Sequence, residues 1–135
     1  MLKSIKVRDY MAQHLLTFRP EMDLFTAIDL LLEHRISGAP VVDAQGYLVG
    51  LLSEGDCLRG ILAGAYHEAI GGQVGGYMVS EVETLSPEAD IVDVAERFLQ
   101  GRRLMPVVEQ GRLIGQISRH DLLRAVKEFA QHQQG

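Results

Sequence analysis

Hydrophobic residues recur at helical spacing in two stretches of the chain. In each stretch they occupy positions i, i+3, i+4, i+7 and i+8, namely Leu24, Ala27, Ile28, Leu31 and Leu32, and then Ile91, Val94, Ala95, Phe98 and Leu99. This spacing predicts two amphipathic helices. An aspartate precedes each one, Asp23 or Asp90, and is suited to cap the free amides of the first helical turn.

Each predicted helix is followed by two apolar runs around a glycine-containing turn, at 40–42 and 48–52 or at 106–108 and 113–117. Such pairs predict β-hairpins covered on both faces. A short extended piece, at 16–18 or 83–85, precedes each first helix. A second helical pattern follows each hairpin, with Leu58, Ile61 and Leu62, or Leu122, Leu123, Val126 and Phe129. The chain therefore predicts an α+β fold with the order β-α-β-β-α, written twice.

The two halves of the chain repeat each other. Equivalent pairs are Met11 and Met78, Thr17 and Thr84, Pro20 and Pro87, Asp23 and Asp90, Pro40 and Pro106, Gly50 and Gly115, Ser53 and Ser118, and Asp56 and Asp121. A half of about 60 residues alone would bury only about 60% of its unfolded surface. We therefore expect one module over residues 1–135, with repeats at 7–65 and 74–130 joined by a linker at 66–73.

Composition and charge exclude several classes of function. The formal net charge of the 135 residues is −5, and no run of Lys or Arg gives the concentrated positive stripe that binds a phosphate backbone, which argues against nucleic acid as a partner. The apolar stretches are shorter than the ~20 residues that span a bilayer, and the start has no signal-peptide pattern. The single Cys57 fits a reducing compartment. We expect a cytoplasmic protein.

The same four-residue motif ends both hairpins. Ser53 and Asp56 bracket the predicted start of one helix, and Ser118 and Asp121 bracket the other. Because the first amides of a helix lack internal partners, they attract anions. A serine hydroxyl there could donate to a phosphate, while a carboxylate one turn on could accept from two ribose hydroxyls. The small or apolar residues at 36–41 and 104–107 could offer backbone to the edges of a base.

The Ser-x-x-Asp motif is equally a helix cap that satisfies the amides with no ligand present. The residues alone leave both interpretations open. The glycine-rich stretch at 71–76 lacks the Gly-Lys-Ser/Thr of a phosphate loop and favours a linker. Ser118, His120 and Asp121 share one helical turn, so they cannot converge as a catalytic triad. His14, His67 and His132 show no metal-ligand spacing. The sequence thus predicts no enzyme and no metal site.

At these residues the chain resembles the paired CBS domains, named after cystathionine beta-synthase. The resemblance runs from about residue 7 to 126 and rests on Pro40-Val41-Val42-Asp43, Gly46-x-Leu48-Val49-Gly50-Leu51-Leu52-Ser53-x-x-Asp56, Pro106-Val107-Val108-Glu109 and Gly111-x-Leu113-Ile114-Gly115-x-Ile117-Ser118-x-x-Asp121. It implies tandem repeats packed sheet to sheet about a pseudo-two-fold axis, with two clefts between them. Family members commonly bind AMP, ADP, ATP, NAD or S-adenosylmethionine there, and commonly form homodimers.

The resemblance also implies roles for individual residues. Asp56 and Asp121 would hold ribose, the serines and threonines would lie near phosphate or sugar, and basic residues such as His34 and Arg102 would approach phosphates. The predicted ligand set is Thr17, Arg35, Ser37, Gly38, Ala39, Pro40, Ser53 and Asp56 in the first copy and Thr84, Arg103, Leu104, Met105, Pro106, Ser118, Arg119, His120 and Asp121 in the second. Because only the second motif contains an arginine, Arg119, we expect tighter polyphosphate binding there.

These observations predict a regulatory module that senses an adenosine compound and acts on a partner protein. An adenosine ligand is expected, and no catalytic cofactor. The alternative is a ligand-independent structural or dimerisation module whose Ser-x-x-Asp turns are only helix caps. Under that alternative, Asp56→Ala and Asp121→Ala would each lower stability by about 1 kcal/mol and no nucleotide would change the melting temperature.

Overall fold

The computed structural model describes residues 1–66, 70–102 and 104–134. Its helices are α1 (Leu24–His34), α2 (Glu54–Tyr66), α3 (Ile91–Phe98) and α4 (Arg119–Gln134), and its strands are β1 (Gly38–Val42), β2 (Leu48–Ser53), β3 (Leu104–Glu109) and β4 (Arg112–Ser118). Short 3₁₀ helices cover Leu2–Ser4, Val7–Asp9 and Val74–Gly76. The predicted α+β class and the repeated order of helices and hairpins are confirmed.

The chain forms two compact units whose limits differ from those of the sequence repeats. The first-repeat unit is Leu16–Val82, and the second-repeat unit combines Met1–Leu15 with Glu83–Gly135. The amino-terminal segment therefore folds with the second repeat: the Val7 amide donates to the Ala89 carbonyl at 2.9 Å, and Ala12 and Gln116 exchange backbone hydrogen bonds at 2.8 and 3.0 Å. The packing of the two repeats as one module stays a prediction.

The segment after α2 makes the matching contacts within the first-repeat unit. The Leu24 amide donates to the Gly72 carbonyl at 2.9 Å, and Leu51 and Val79 exchange backbone hydrogen bonds at 2.9 Å each. The described part of the predicted 66–73 linker is thus tied to the unit at Gly72. The sequence pattern predicts a loose connection there, and the role of 66–73 as a linker stays a prediction.

Capping aspartates begin the first helix of each repeat, as the sequence predicts. The Asp23 carboxylate accepts from the amides of Phe25 and Thr26 at 3.0 and 3.3 Å. Asp90 accepts from the Asp93 amide at 2.9 Å. Both caps satisfy amides that would otherwise lack partners.

Each hairpin is an antiparallel pair of strands, and a single bridge adds a further segment at each of its two edges. The β1–β2 register places Gly38 opposite Ser53, and the β3–β4 register places Leu104 opposite Ser118. The flanking bridges are Phe18 to Val41 and Val79 to Leu51 in the first-repeat unit, and Leu85 to Val107 and Ala12 to Gln116 in the second. The predicted extended pieces at 16–18 and 83–85 are therefore single parallel bridges, not full strands.

Each unit has its own cluster of buried apolar side chains. The first includes Phe18, Leu24, Val41 and Leu52, and the second includes Val94, Met105, Val107 and Ile117. Part of each predicted apolar helix face remains outside these clusters, since Leu32 is 68% exposed and Leu99 is 88% exposed. Among the helices in the described ranges, none combines the length and apolar character needed to cross a membrane.

Candidate functional site

The two Ser-x-x-Asp turns form reciprocal helix caps. In the first-repeat unit the Ser53 amide and hydroxyl donate to Asp56 Oδ2 at 2.9 and 2.8 Å, and the Asp56 amide donates to Ser53 Oγ at 3.2 Å. The equivalent distances between Ser118 and Asp121 are 3.0, 3.1 and 3.4 Å. Each cap uses one carboxylate oxygen, Oδ2, and leaves Oδ1 for another partner.

The partner of Oδ1 differs between the two turns. The Arg59 guanidinium forms an ion pair and a hydrogen bond with Asp56 Oδ1. In the second-repeat unit, Arg124 Nη2 lies 3.6 Å from Asp121 Oδ1. The Asp121 side chain is 17% exposed and that of Asp56 is 5% exposed. Within the described part of the chain, Asp121 Oδ1 accepts no hydrogen bond and is the more open acceptor.

In the first-repeat unit, the fold brings several predicted site residues to one end of the sheet. The β1–β2 register sets Gly38 opposite Ser53, and the Ser37 carbonyl accepts the Glu54 amide at 2.8 Å. The parallel bridge of Phe18 places Thr17 towards the same end. The start of β1, the end of β2 and the start of α2 therefore meet around the capped turn.

The second-repeat unit repeats this arrangement. Leu104 lies opposite Ser118, and the bridge of Leu85 to Val107 places Thr84 towards that end of the sheet. Arg119 and His120 are exposed on the first turn of α4. Arg103 and His67 lie outside the described residues.

Four of the predicted ligand-binding residues have side chains that are buried in the core. Ala39 and Met105 are each 1% exposed, and Pro40 and Pro106 are fully buried. The carbonyls of both prolines are occupied, because they accept the amides of Phe18 and Leu85 at 2.9 Å each. Any contact with a ligand at these positions is thus limited to other backbone atoms.

The basic residues after the first helix of each repeat have different environments. Arg35 ends α1 in the left-handed conformation with φ 53° and is exposed, as is His34. Arg102 is paired with Glu83, which also accepts from Arg97 Nη1 at 3.3 Å. The charge of Arg102 is therefore neutralised by a neighbour. Within the described residues, the Arg35 side chain makes no ion pair or hydrogen bond, while its amide donates to the Leu32 carbonyl at 3.3 Å.

Sequence reasoning missed Arg59 and Arg124, although both contact the motif aspartates. Their signal was available, since each stands three residues after its aspartate in equivalent places of the repeats. Residues at i and i+3 lie on one helix face, so such pairs meet. Glu83 was also missed, and it has no acidic counterpart in the first repeat, where Leu16 takes the place.

Cys57 lies beside Asp56 but does not offer a reactive thiol. Burial, and next the neighbouring Asp56 carboxylate, raises the pKa of the Cys57 thiol. A protonated, buried thiol is a poor nucleophile. In residues 1–66, 70–102 and 104–134, no cluster of three or more His, Cys, Asp or Glu side chains could hold a metal ion.

Each turn thus combines three chemical groups in a small volume. A carboxylate offers an acceptor to hydroxyl groups, a serine hydroxyl can exchange its partner, and the first turn of a helix presents amides with partial positive charge. A sugar with two adjacent hydroxyls fits the carboxylate, and an attached anion fits the amides. The geometry is suited to binding a nucleoside phosphate.

Comparison with known proteins matches both halves of the chain to one family. Residues 7–63 and 74–128 each match the CBS domain. The fold matches that of CBSX2 from Arabidopsis thaliana, solved in complex with AMP, with a TM-score of 0.83 and 29% identity over 93% of this chain and 98% of that one.

Curated relatives include longer proteins. Protein MJ1225 from Methanocaldococcus jannaschii is 29% identical over 119 residues, which cover 87% of this chain and 41% of that protein. The A-adding tRNA nucleotidyltransferase from Aquifex aeolicus is 33% identical over 125 residues, which cover 92% of this chain and 15% of the enzyme. The sequence resemblance is confirmed in both repeats: the chain belongs to the CBS domain family and carries a pair of CBS domains.

Proposed function

We propose that this chain is a regulatory module that binds an adenosine compound at its Ser-x-x-Asp turns and acts on a partner protein. The observation that carries the proposal is the carboxylate of Asp121, which Ser118 holds by Oδ2 while Oδ1 accepts no hydrogen bond in the described residues. AMP is the first candidate, because a relative with 29% identity and nearly full coverage was solved with AMP. ADP, ATP, NAD and S-adenosylmethionine share the same ribose.

The turn would orient the ligand by charge. The two ribose hydroxyls donate to the Asp121 carboxylate, and the same negative charge keeps the phosphate away from it. The phosphate is then directed towards the Ser118 hydroxyl, Thr84 and the partial positive charge at the first turn of α4. The predicted preference of Arg119 for polyphosphates stays part of this proposal.

We assign the module a non-catalytic role in the cytoplasm. The Cys57 thiol is buried and has a raised pKa, and the Ser118 hydroxyl is part of the α4 cap, where it donates to the Asp121 carboxylate. A ligand can change the action of such a module only through a difference in affinity between two states. The state with the higher affinity for the adenosine compound would be the one that its partner distinguishes.

A melting experiment tests the adenosine class directly. We expect at least one of AMP, ADP, ATP, NAD and S-adenosylmethionine to stabilise the wild type by about 2.7 kcal/mol at a hundredfold excess over its dissociation constant. For a chain of this size this raises Tm by several degrees. The double variant Asp56→Asn/Asp121→Asn is the control and should show no rise. If none of the five compounds changes the Tm of the wild type, only the ligand-independent structural module remains.

The exposed helix faces supply a second part of the proposal. A groove of about 200 Å³ between α1 and α2 is lined by Ile28, Leu31, Leu32, Glu54, Cys57, Leu58 and Ile61. A groove of about 270 Å³ between α3 and α4 is lined by Ala95, Phe98, Leu99, Arg119, Leu122, Leu123 and Val126. Leu58 is 63% exposed and Leu123 is 70% exposed. Exposed apolar faces of this kind are typical of surfaces that bind another molecule.

A second copy of this chain is the occupant that fits these grooves. Glu54 lines the first groove and Arg119 lines the second, so the first groove of one copy complements the second groove of another in charge. Complementary charges fix the register of such an interface. Full burial of each exposed leucine would add about 1.5–3 kcal/mol. We therefore propose a homodimer that pairs the two different grooves.

Charged substitutions in the grooves should produce monomers. We expect Leu58→Glu and Leu123→Glu to halve the molar mass measured by light scattering after size exclusion, because each places an unpaired charge in an apolar interface. Ala44→Glu adds the same charge in the exposed turn between β1 and β2 and should leave the mass unchanged. Glu54→Arg alone should weaken the dimer, and Glu54→Arg/Arg119→Glu should restore it. Equal masses for all variants would refute the proposed interface.

A further inference from the structure

The two motif aspartates have different partners although their sequences are equivalent. Asp56 Oδ1 is bound by the Arg59 guanidinium, whereas Asp121 Oδ1 lies 3.6 Å from Arg124 Nη2, beyond hydrogen-bond distance. Arg59 and Arg124 occupy the same position in α2 and α4, three residues after the aspartate. The difference therefore comes from the surroundings of the two arginines.

Gly55 permits the conformation of Arg59. A Cβ atom at Gly55 would lie 3.3 Å from Arg59 Nη1, so the guanidinium lies over the first turn of α2 where the glycine leaves space. In the second repeat this position holds His120, whose side chain is exposed on the first turn of α4. A guanidinium on the same path there would lie in tight contact with the Cβ of this histidine.

Arg124 is also held elsewhere. Its Nη2 donates to the Tyr10 carbonyl at 3.2 Å, its guanidinium carbon lies 5.0 Å from the centre of the Tyr10 ring, and its Nη1 lies 3.9 Å from Glu128 Oε1. The Tyr10 hydroxyl donates to Glu128 Oε2 at 2.7 Å, which completes the cluster. Tyr77, the equivalent of Tyr10, instead donates to the Gly71 carbonyl at 2.7 Å. Arg59 has no such cluster in the described residues.

From these contacts we infer that Arg59 is a specificity-determining residue that makes the two binding turns unequal. This inference rests on the proposed binding of an adenosine compound. The guanidinium of Arg59 occupies the Asp56 oxygen that the ribose hydroxyls require. The second-repeat turn, whose Oδ1 has only the longer ion pair with Arg124 at 3.6 Å, fills first, and the first-repeat turn fills only when Arg59 moves away.

The cost of moving Arg59 sets the size of the effect. Its side chain is 72% exposed, so it returns to water easily, while the Asp56 carboxylate is 5% exposed. An ion pair with one exposed partner contributes up to about 1 kcal/mol, which corresponds to about a fivefold change in apparent affinity. The first turn is thus weakened but not closed, which gives two binding steps of different affinity.

Calorimetric titration of the full chain with AMP separates the two turns. In an Asp121→Asn background only the first-repeat turn keeps its carboxylate, and adding Arg59→Ala should tighten AMP binding about fivefold. Gly55→His, which introduces the residue of the second repeat, should act in the same direction by displacing the guanidinium. The matched control is Arg124→Ala in an Asp56→Asn background, where the affinity should change less than twofold.

The outcomes distinguish this inference from the proposed function. If Arg59→Ala leaves AMP affinity at the first turn unchanged or lowers it, Arg59 does not compete with ribose and the inference is wrong, while binding itself stands. If the first turn takes no AMP even in the Arg59→Ala background and the second turn does, the inference is equally wrong. A wild type that binds no AMP or other adenosine compound overturns both. Thermal melts of each variant verify that all of them fold.

Discussion

Replacement of Asp121 by asparagine is expected to weaken AMP binding by about ten- to a hundredfold. Hydrogen bonds to a charged group contribute about 1.5–3 kcal/mol, and about 1.4 kcal/mol corresponds to a factor of ten. Asparagine keeps an oxygen that can accept from the Ser118 amide, so the cap of α4 is retained in large part. It loses the charge and turns a donor group towards the ribose hydroxyls. Isothermal titration calorimetry measures the change.

The control for this exchange is Asp90→Asn. Asp90 caps α3 of the same unit by accepting the Asp93 amide at 2.9 Å, and it has no proposed ligand role. Its replacement should leave AMP affinity within twofold. Asp121→Ala is less informative, because it also removes the cap and lowers stability by about 1 kcal/mol under either hypothesis. An Asp121→Asn variant that binds AMP as tightly as the wild type would remove the aspartate from the binding site.

Replacement of Gly60 by alanine is expected to lower the free energy of unfolding by about 1–2 kcal/mol. A Cβ atom at Gly60 would lie 2.0 Å from Cδ1 and 2.1 Å from Cε1 of Tyr77. The ring is held, because its hydroxyl donates to the Gly71 carbonyl at 2.7 Å. Overpacking of this kind costs about 1–3 kcal/mol or more, and exceeds the gain of about 1 kcal/mol from alanine in a helix. Urea denaturation followed by circular dichroism gives the value.

Two positions serve as references for Gly60. Gly76 has no atom within 4 Å of the Cβ that alanine would add, so Gly76→Ala should change stability by less than about 0.5 kcal/mol. Ala125 is the equivalent of Gly60 in the second repeat and is fully buried. A Cβ is accommodated there because Tyr10, the equivalent of Tyr77, has a different hydroxyl partner, Glu128. If Gly60→Ala unfolds at the wild-type urea concentration, the tight packing of Tyr77 against α2 is wrong.

The helices and hairpins could be predicted because their signals are periodic. Leu24, Ala27 and Leu31 repeat at helical spacing and are buried as expected. The packing of the amino-terminal segment on the second repeat could not be predicted. It depends on single bridges such as Ala12 to Gln116, which leave no periodic pattern in the sequence. The sequence reflects this packing in one respect, since the second strand of each hairpin has a glycine where the neighbouring segment passes close to it. A Cβ at Gly115 would lie 2.9 Å from the Ala12 carbonyl oxygen.

The site was predictable to the level of residue identity, but not of individual atoms. Duplication of Ser-x-x-Asp singled out Ser53, Asp56, Ser118 and Asp121, and the structure places each pair in one capped turn. Which carboxylate oxygen stays open depends on the path of a flexible arginine. That path is set by neighbours distant in sequence, such as Tyr10 for Arg124.

The exposed leucines show a second limit of sequence patterns. Leu58 and Leu123 belong to apolar patterns that predict buried helix faces, yet they are 63% and 70% exposed in the chain. Hydrophobic spacing indicates that a face will be covered, but it does not say whether the cover is the same chain or another molecule. The proposed dimer accounts for the pattern by placing a second copy on these faces.

The most direct measurement is a crystal structure of the protein grown with the adenosine compound that gives the largest rise in Tm. The ribose hydroxyls should lie within hydrogen-bond distance of Asp121 Oδ1, about 2.5–3.0 Å, while Ser118 still donates to Oδ2. A nucleotide whose ribose lies away from both aspartates, or two empty Ser-x-x-Asp turns, would contradict the proposed binding mode.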